Sequence, residues 1–406
     1  MLSKKIKEDF WWIGNLDPDL RVFDVVMQTE FGTTYNSYVL KGSEKTVIFE
    51  GSKARFAEEY LEKLGEVTSI EQVDALIVDH TEPDHAGAIE KMLELKPDLL
   101  IVGTTGAINF LKEIVNRPFE SRVVKAGDEM DIGGRTLTFL PAPNLHWPDT
   151  MFTWIEEDGI LVTCDCFGSH YSDEGITNEN LTSNEDYLKA ALYYFDNILG
   201  PFKSDVLNAL GKIKDFDIKI IATGHGPVLT QNPGFIIDLY KQWCSDRNPN
   251  AKKTVVIPYV SAYGYTAALA GEIAEGIRQA GDIEVRLFDM VSADADAVLS
   301  EILYADGFLL GTPTMVGEAL PPIWNIAAAL NAKLHGGKFA SAFGSYGWSG
   351  EGVPHIMERL HQLKLNIYGE GFRVRFKPDE EQLRAAYEFG VGFGESVRDG
   401  KLADVR

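Results

Sequence analysis

Ala75-Leu76-Ile77-Val78-Asp79-His80-Thr81-Glu82-Pro83-Asp84-His85 is the stretch whose reading decides the fold. The apolar run 75–78 reads as a buried strand running out into a polar loop, and Ala86-Gly87-Ala88-Ile89-Glu90 then starts a helix. A loop at the carboxyl end of a strand can aim several side chains at one point. Here those are His80, Glu82, Asp84 and His85, two imidazoles and two carboxylates, all metal-ligand types. A solvated acidic turn with incidental histidines would not be expected to place four ligands in six positions.

Further ligand types follow, again at strand ends. His146 lies in Asn144-Leu145-His146-Trp147-Pro148-Asp149, soon after a strand expected at 137–140. Asp165 closes the apolar run 159–164. A strand at 218–222 delivers His225 within Gly224-His225-Gly226-Pro227, where the flanking glycines allow turns that bulkier residues resist. Of the 8 histidines, five precede residue 230, and four of those sit in such loops. Four imidazoles and three carboxylates suffice for two metal ions about 3.5–4 Å apart, with one carboxylate bridging.

Around these motifs the first 250 residues read as short strands at 10–13, 25–27, 37–40, 46–49 and 99–102, with helices at 54–64 and 105–116. Residues 245–253, with Asn248-Pro249-Asn250 and four charges, read as a linker. The pattern beyond it is strict alternation. Strands at 254–260, 283–288, 307–310, 338–343 and 373–376 are followed by helices at 267–279, 295–304, 323–334, 354–363 and 380–398. That is a doubly wound parallel sheet. The expected domains are 1–250, carrying the metal motifs, and 251–406.

Composition narrows the function class. Asp plus Glu number 61 against 38 Lys plus Arg, a net charge of −23, which disfavours nucleic acid and anionic membranes as partners. No apolar run approaches the ~20 residues of a membrane span, and the first residues have no signal-peptide core, so a cytoplasmic location is expected. Cys164 and Cys166 stand two apart on an extended chain, a poor disulfide geometry, and the 3 cysteines are expected to be reduced thiols.

The opening motif resembles that of the metallo-β-lactamase superfamily, usually His-x-His-x-Asp-His, with Glu82 in place of the second histidine. A carboxylate there is a harder, anionic ligand that favours iron or manganese over zinc. His80-x-Glu82-x-Asp84-His85, Leu145-His146-Trp147-Pro148-Asp149, Asp165-x-Phe167-Gly168 and Gly224-His225-Gly226-Pro227, all ahead of a flavodoxin-like pattern, resemble the flavodiiron proteins (A-type flavoproteins). The likeness extends over about residues 32–394. It implies a metallo-β-lactamase-like αββα sandwich followed by a flavodoxin-like domain. It implies that His80, Glu82 and His146 hold one iron, that Asp84, His85 and His225 hold the other, and that Asp165 bridges them. In some members the residue matching His85 turns away from the metal. His170 resembles a position beside the ligands rather than among them.

In the second domain, Ser261-Ala262-Tyr263-Gly264-Tyr265-Thr266 follows the first strand, and its backbone N–H groups, hydroxyls and helix N-terminus suit a phosphate. Tyr263 stands where the flavodoxin pattern has another Thr or Ser. Pro313-Thr314-Met315-Val316 and Ser345-Tyr346-Gly347-Trp348-Ser349-Gly350 follow the third and fourth strands. In flavodoxin-like folds these loops flank the isoalloxazine ring, so FMN is the expected cofactor. The resemblance implies an oxidoreductase that reduces O2 to water, NO to N2O, or both, with Tyr193 or Tyr194 a candidate proton source. With the sequence ending at Arg406, the expected electron donor is a separate rubredoxin-like protein, a flavoprotein reductase or a reduced cofactor. The implied assembly is a head-to-tail homodimer or a dimer of dimers. Two other readings stand beside it. One is a dinuclear hydrolase of the β-lactamase superfamily with a fused flavodoxin domain, which Glu82 and the flavin loops speak against. The other is a flavin electron carrier with a degenerate metal domain, which the intact ligand set speaks against.

Overall fold

The structure is a computed structural model describing residues 2–25, 27–245 and 248–403. It divides into two compact units, Met1–Arg247 and Asn248–Arg406. The expected linker falls in part on residues 246–247, outside the described residues, as does Val26 of the strand expected at 25–27.

The first unit holds a seven-stranded and a five-stranded sheet. The seven-stranded sheet runs Lys4–Lys7, Phe10–Trp12, Tyr38–Lys41, Thr46–Phe49, Ala75–Val78, Leu100–Gly103, Ser121–Val123. The five-stranded sheet runs Glu129–Asp131, Thr136–Pro141, Met151–Ile155, Ile160–Cys164, Ile220–Thr223. Strand alternation sorts the side chains into layers. Ala75 and Ile77 join Phe139, Ile155 and Val162 in the core between the sheets. Leu76 and Val78 face the other way, onto the helices Ala57–Val67, Ile89–Leu95 and Thr105–Val115. On the outer face of the five-stranded sheet, Phe152, Trp154, Leu161 and Ile221 pack against Asn184–Tyr194, Lys203–Ile213 and Pro233–Cys244. The result is the αββα sandwich.

In the second unit a parallel sheet runs Ile283–Asp289, Lys253–Tyr259, Gly307–Gly311, Phe339–Tyr346, Asn366–Ile367, with Phe372–Arg375 also paired to Phe339–Tyr346. One apolar cluster fills each face. One expectation is corrected here. The helix expected at 323–334 is two helices, Pro321–Ala329 and Ala332–His335. The chain turns extended at Leu330, and the Asn331 carboxamide caps the second helix by accepting from Lys333 and Leu334 N–H. The last strand expected at 373–376 is Phe372–Arg375, and a further short strand, Asn366–Ile367, pairs with Phe339–Tyr346 ahead of it.

Candidate active site

The metal-ligand types all come from loops at one edge of the first unit's sheets, except Asp84 and His85, which lie on the single helical turn Pro83–Ala86. His80, Glu82, His146 and Asp165 form one group whose ligand atoms lie within 4.8 Å of one another, and Asp84, His85 and His225 form a second. Asp165 faces both. Its Oδ2 is 3.4 Å from His80 Nε2 and 3.5 Å from His146 Nε2, while its Oδ1 is 3.1 Å from His85 Nε2 and 3.5 Å from His225 Nε2. Glu82 Oε2 lies 2.8 Å from His146 Nε2, and Asp84 Oδ2 lies 3.1 Å from His225 Nε2.

Ring orientations are set from behind. His80 Nδ1 donates to Asp149 Oδ2 at 3.2 Å, and the same oxygen accepts from the Thr81 N–H and hydroxyl. His225 Nδ1 donates to the Thr34 carbonyl. Both rings therefore turn an Nε2 lone pair toward carboxylate oxygens.

Two cations fit this donor set. Both oxygens of Asp84 and Oδ2 of Asp165 are buried with no hydrogen-bond donor among the described residues aimed at them, although ring nitrogens stand close. Lone pairs facing lone pairs inside a protein need a positive charge between them. The charges point the same way. Burial opposes ionisation of Asp165 and Glu82, yet the surrounding imidazoles hold both carboxyls well below the usual range. His85 is desolvated, but Asp84 and Asp165 push it up to about 9.

His170 is 3 % exposed and shares the Thr33 hydroxyl with His225: its Nδ1 is 2.9 Å from Thr33 Oγ1, and His225 Nδ1 is 3.4 Å away. Burial and the neighbouring His225 hold it well below the usual histidine range, so it stays neutral. Of the two candidate tyrosines, Tyr194 reaches the site: its hydroxyl donates to Asp165 Oδ1, whereas Tyr193 is 40 % exposed. Asp149, Thr33 and Thr34 were given no role by sequence. Asp149 carried a signal, as the last residue of the His146 motif. The threonines carried none, since their partners lie more than a hundred residues away.

The three loops expected to hold a flavin follow adjacent parallel strands and so share the carboxyl edge of the second unit's sheet. In the first, Ser261 Oγ accepts from Ala267 N–H, Ala262 and Tyr263 are exposed, and Gly264 takes φ +79°. The helix Tyr265–Ala280 then begins. Thr266 links it to the third loop, its hydroxyl 2.9 Å from that of Ser345. In the second, Pro313 precedes a small hairpin, Thr314–Met315 with Glu318–Ala319, whose tip carries Val316. The third, with Tyr346, Trp348 and Ser349, is pinned from the neighbouring strand, since Arg375 donates to the Gly347 carbonyl and Arg373 to that of Gly350. Tyr263, Val316 and Trp348 are 77, 98 and 87 % exposed. Large apolar side chains left bare beside a hydroxyl-bearing helix N-terminus suit a flat aromatic ring that ends in a phosphate.

Two family models match the chain in separate stretches. The model described as ODP family beta lactamase matches residues 33–226, and the flavodoxin model matches 257–390. The chain is 39% identical over 403 residues to the Flavo-diiron protein FprA2 of Clostridium acetobutylicum, covering 98% of this chain and 100% of the relative. It is 32% identical over 395 residues to the anaerobic nitric oxide reductase flavorubredoxin of Escherichia coli, covering 96% and 81%. Among solved structures it superposes with a TM-score of 0.75 and 25% identity on the rubredoxin oxygen:oxidoreductase of Desulfovibrio gigas, covering 98% and 99% of the two chains.

Proposed function

Since this chain belongs to the flavodiiron protein family, we propose that it is an oxidoreductase that reduces O2 to water, NO to N2O, or both, with residues 1–250 holding two irons and residues 251–406 holding FMN. The observation that carries this reading is Asp165, which offers one oxygen to each ligand group. On this reading His80, Glu82 and His146 hold one iron, Asp84, His85 and His225 the other, and Asp165 both. When bound, two irons and one FMN supply four electrons, the number that takes O2 to two waters.

The chain's own residues prepare that chemistry. Asp149 and the Thr34 carbonyl hold His80 and His225 in the tautomer that presents Nε2. Three carboxylates against four imidazoles give a site anionic enough to favour iron over zinc. Tyr194 keeps its proton, because burial pushes the phenol well above its ordinary value, and aims it at Asp165. Phe23 and Tyr35 pack their rings against His225 and help keep bulk water from the ligands. In the second unit, the loop Ser261, Ala262, Tyr263, Gly264, Tyr265 and Thr266 receives the phosphate, and Tyr346 and Trp348 contact the ring.

No helix among the described residues is long and apolar enough to cross a membrane. We assign the protein to the cytoplasm, with a separate rubredoxin-like protein, flavoprotein reductase or reduced cofactor as donor. A head-to-tail homodimer, alone or paired into a tetramer, brings the FMN of one subunit to the irons of the other. The support is physical, since electron tunnelling demands close approach and a two-fold axis supplies two such approaches from one interface. The test is to measure O2 consumption and N2O formation with one chemically reduced preparation of known iron and FMN content. Loss of both activities with full cofactor content overturns the reading.

A further inference from the structure

Glu50 ends the strand Thr46–Phe49 and takes φ +60°, a conformation uncommon for a side-chain-bearing residue. Its backbone is held on both sides: its N–H donates to the Ile77 carbonyl, and its carbonyl accepts from the Ser37 and Tyr60 hydroxyls. The side chain is 1 % exposed and points beneath the ligand loop. There Oε1 accepts from the Asp79 and His80 N–H groups at 2.7 and 3.0 Å.

Oε2 has no hydrogen-bond partner among the described residues, and neither has His85 Nδ1, which is likewise buried. These two orphans belong together. A Glu50 carboxylate oxygen, a ring nitrogen of His85 and the Cys164 sulfur lie within 4.8 Å of one another. His85 Nε2 is turned to Asp165 Oδ1 at 3.1 Å and Asp84 Oδ1 at 3.6 Å, which leaves Nδ1 as the ring nitrogen in need of a partner. The same turn grips the His85 backbone, because Gly51 N–H donates to the His85 carbonyl at 2.7 Å.

For His85 to offer Nε2 as a ligand, its ring proton must sit on Nδ1, and a buried N–H needs an acceptor. His80 has Asp149 for this and His225 has the Thr34 carbonyl. Apart from the Asp84 and Asp165 carboxylates at Nε2, the group that holds His85 with an oxygen acceptor among the described residues is that of Glu50 and the weakly accepting Cys164 sulfur. We propose that Glu50 is the positioning residue for His85, accepting from Nδ1–H so that Nε2 stays turned toward the second metal ion. The proposal rests on the two-metal reading above and concerns how one of its ligands is oriented.

The Glu50→Gln substitution separates this role from that of a loop brace. It preserves the shape and the oxygen that braces the Asp79 and His80 amides, but sets an N–H₂ donor against the Nδ1 donor. The experiment titrates cobalt(II) into the metal-free, FMN-loaded full chain against a competing chelator, following the cobalt absorption bands. Wild type should bind two ions. Glu50→Gln should weaken one of the two by about 10- to 100-fold, the usual cost of removing a ligand's orienting partner. His85→Asn should weaken the same ion, and the double variant should lose no more than His85→Asn alone. Glu50→Asp withdraws the carboxylate from the ring and from the Asp79 and His80 amides alike, so if Glu50→Gln does not fold it serves through its double variant with His85→Asn, whose loss at that ion should again not exceed that of His85→Asn alone. Wild-type affinity for both ions in the Glu50 variants overturns the proposal, and so does a double variant whose losses add. Fewer than two ions bound by the wild type would instead defeat the two-metal reading itself.

Discussion

The Tyr194 hydroxyl donates a 2.9 Å hydrogen bond to Oδ1 of Asp165, the carboxylate that faces both ligand groups. A hydrogen bond to a charged group is worth about 1.5–3 kcal/mol, so removing it should cost roughly tenfold or more in rate. Tyr194→Phe is expected to keep its iron and FMN and to reduce gas about tenfold more slowly. Tyr193→Phe should stay within about twofold, because adjacent helix positions face different ways. Oxygen-electrode rates normalised to iron content check both, and equal effects of the two variants would remove Tyr194 from the mechanism.

Glu82 separates this motif from the hydrolase motif, and its Oε2 sits 2.8 Å from His146 Nε2 and 3.3 Å from His80 Nε2. Glu82→His replaces a hard anionic donor with a third imidazole in the same group, a set that suits zinc. Metal analysis should find the iron-to-zinc ratio fallen, gas reduction lost and FMN retained at wild-type stoichiometry. Full oxygen reduction with unchanged iron would show that the carboxylate does not select the metal.

What could be read from sequence follows physical range. The ligands stand out because each lies in a segment that follows an apolar strand, and strand ends share an edge whatever the details of the sheet. The helix Ala295–Tyr304 lies where its pattern placed it, since its apolar spacing and its Asp294 cap are local. The Asn331 break is masked in the sequence, because the apolar spacing across 323–334 continues through it and outweighs a single cap residue. Lys4–Lys7 has no strand signal in its sequence: it is an edge strand, charged and half-exposed, and carries no alternation. The partners of His85, His170 and His225 were invisible for another reason. Glu50, Thr33 and Thr34 meet them only through tertiary packing, and nothing in their own neighbourhoods announces it.

Asp158 supplies a test of stability rather than chemistry. Its Oδ2 accepts from Arg135 Nε at 2.5 Å and its Oδ1 faces Lys7 Nζ at 2.7 Å. It thereby ties the edge strand Lys4–Lys7 to the hairpin of the other sheet. Burial opposes its ionisation, but these two cations hold the carboxyl below its ordinary value. A lowered folded-state pKa means stability that is present above the unfolded pKa of about 3.9 and lost as the pH falls through the folded value. Asp158→Asn should therefore destabilise the protein by about 1–2 kcal/mol at pH 7, discounted because Lys7 is partly exposed. The difference from wild type should shrink below pH 4. Urea unfolding at both pH values checks this, and a difference that does not change with pH would assign the effect to packing.

The proposed dimer is tested by separating its two cofactors between subunits. One subunit carries changes at Ser261 and Thr266, whose hydroxyls lie at the helix N-terminus and beside Ser345, so that it lacks FMN but keeps its irons. Its partner carries changes at His80 and His146, which share Glu82 Oε2, so that it lacks iron but keeps FMN. Neither chain alone holds both cofactors, so transfer within a chain predicts no activity in the mixed dimer. Head-to-tail transfer leaves one of two equivalent FMN-to-iron approaches complete, and the mixed dimer should keep about half the wild-type rate. The two parent homodimers should both be inactive, which fixes the background against which the mixed species is read. A mixed dimer that stays at that background, with iron and FMN each present at half stoichiometry, would show that electrons move within the chain and would remove the reason for a head-to-tail pair.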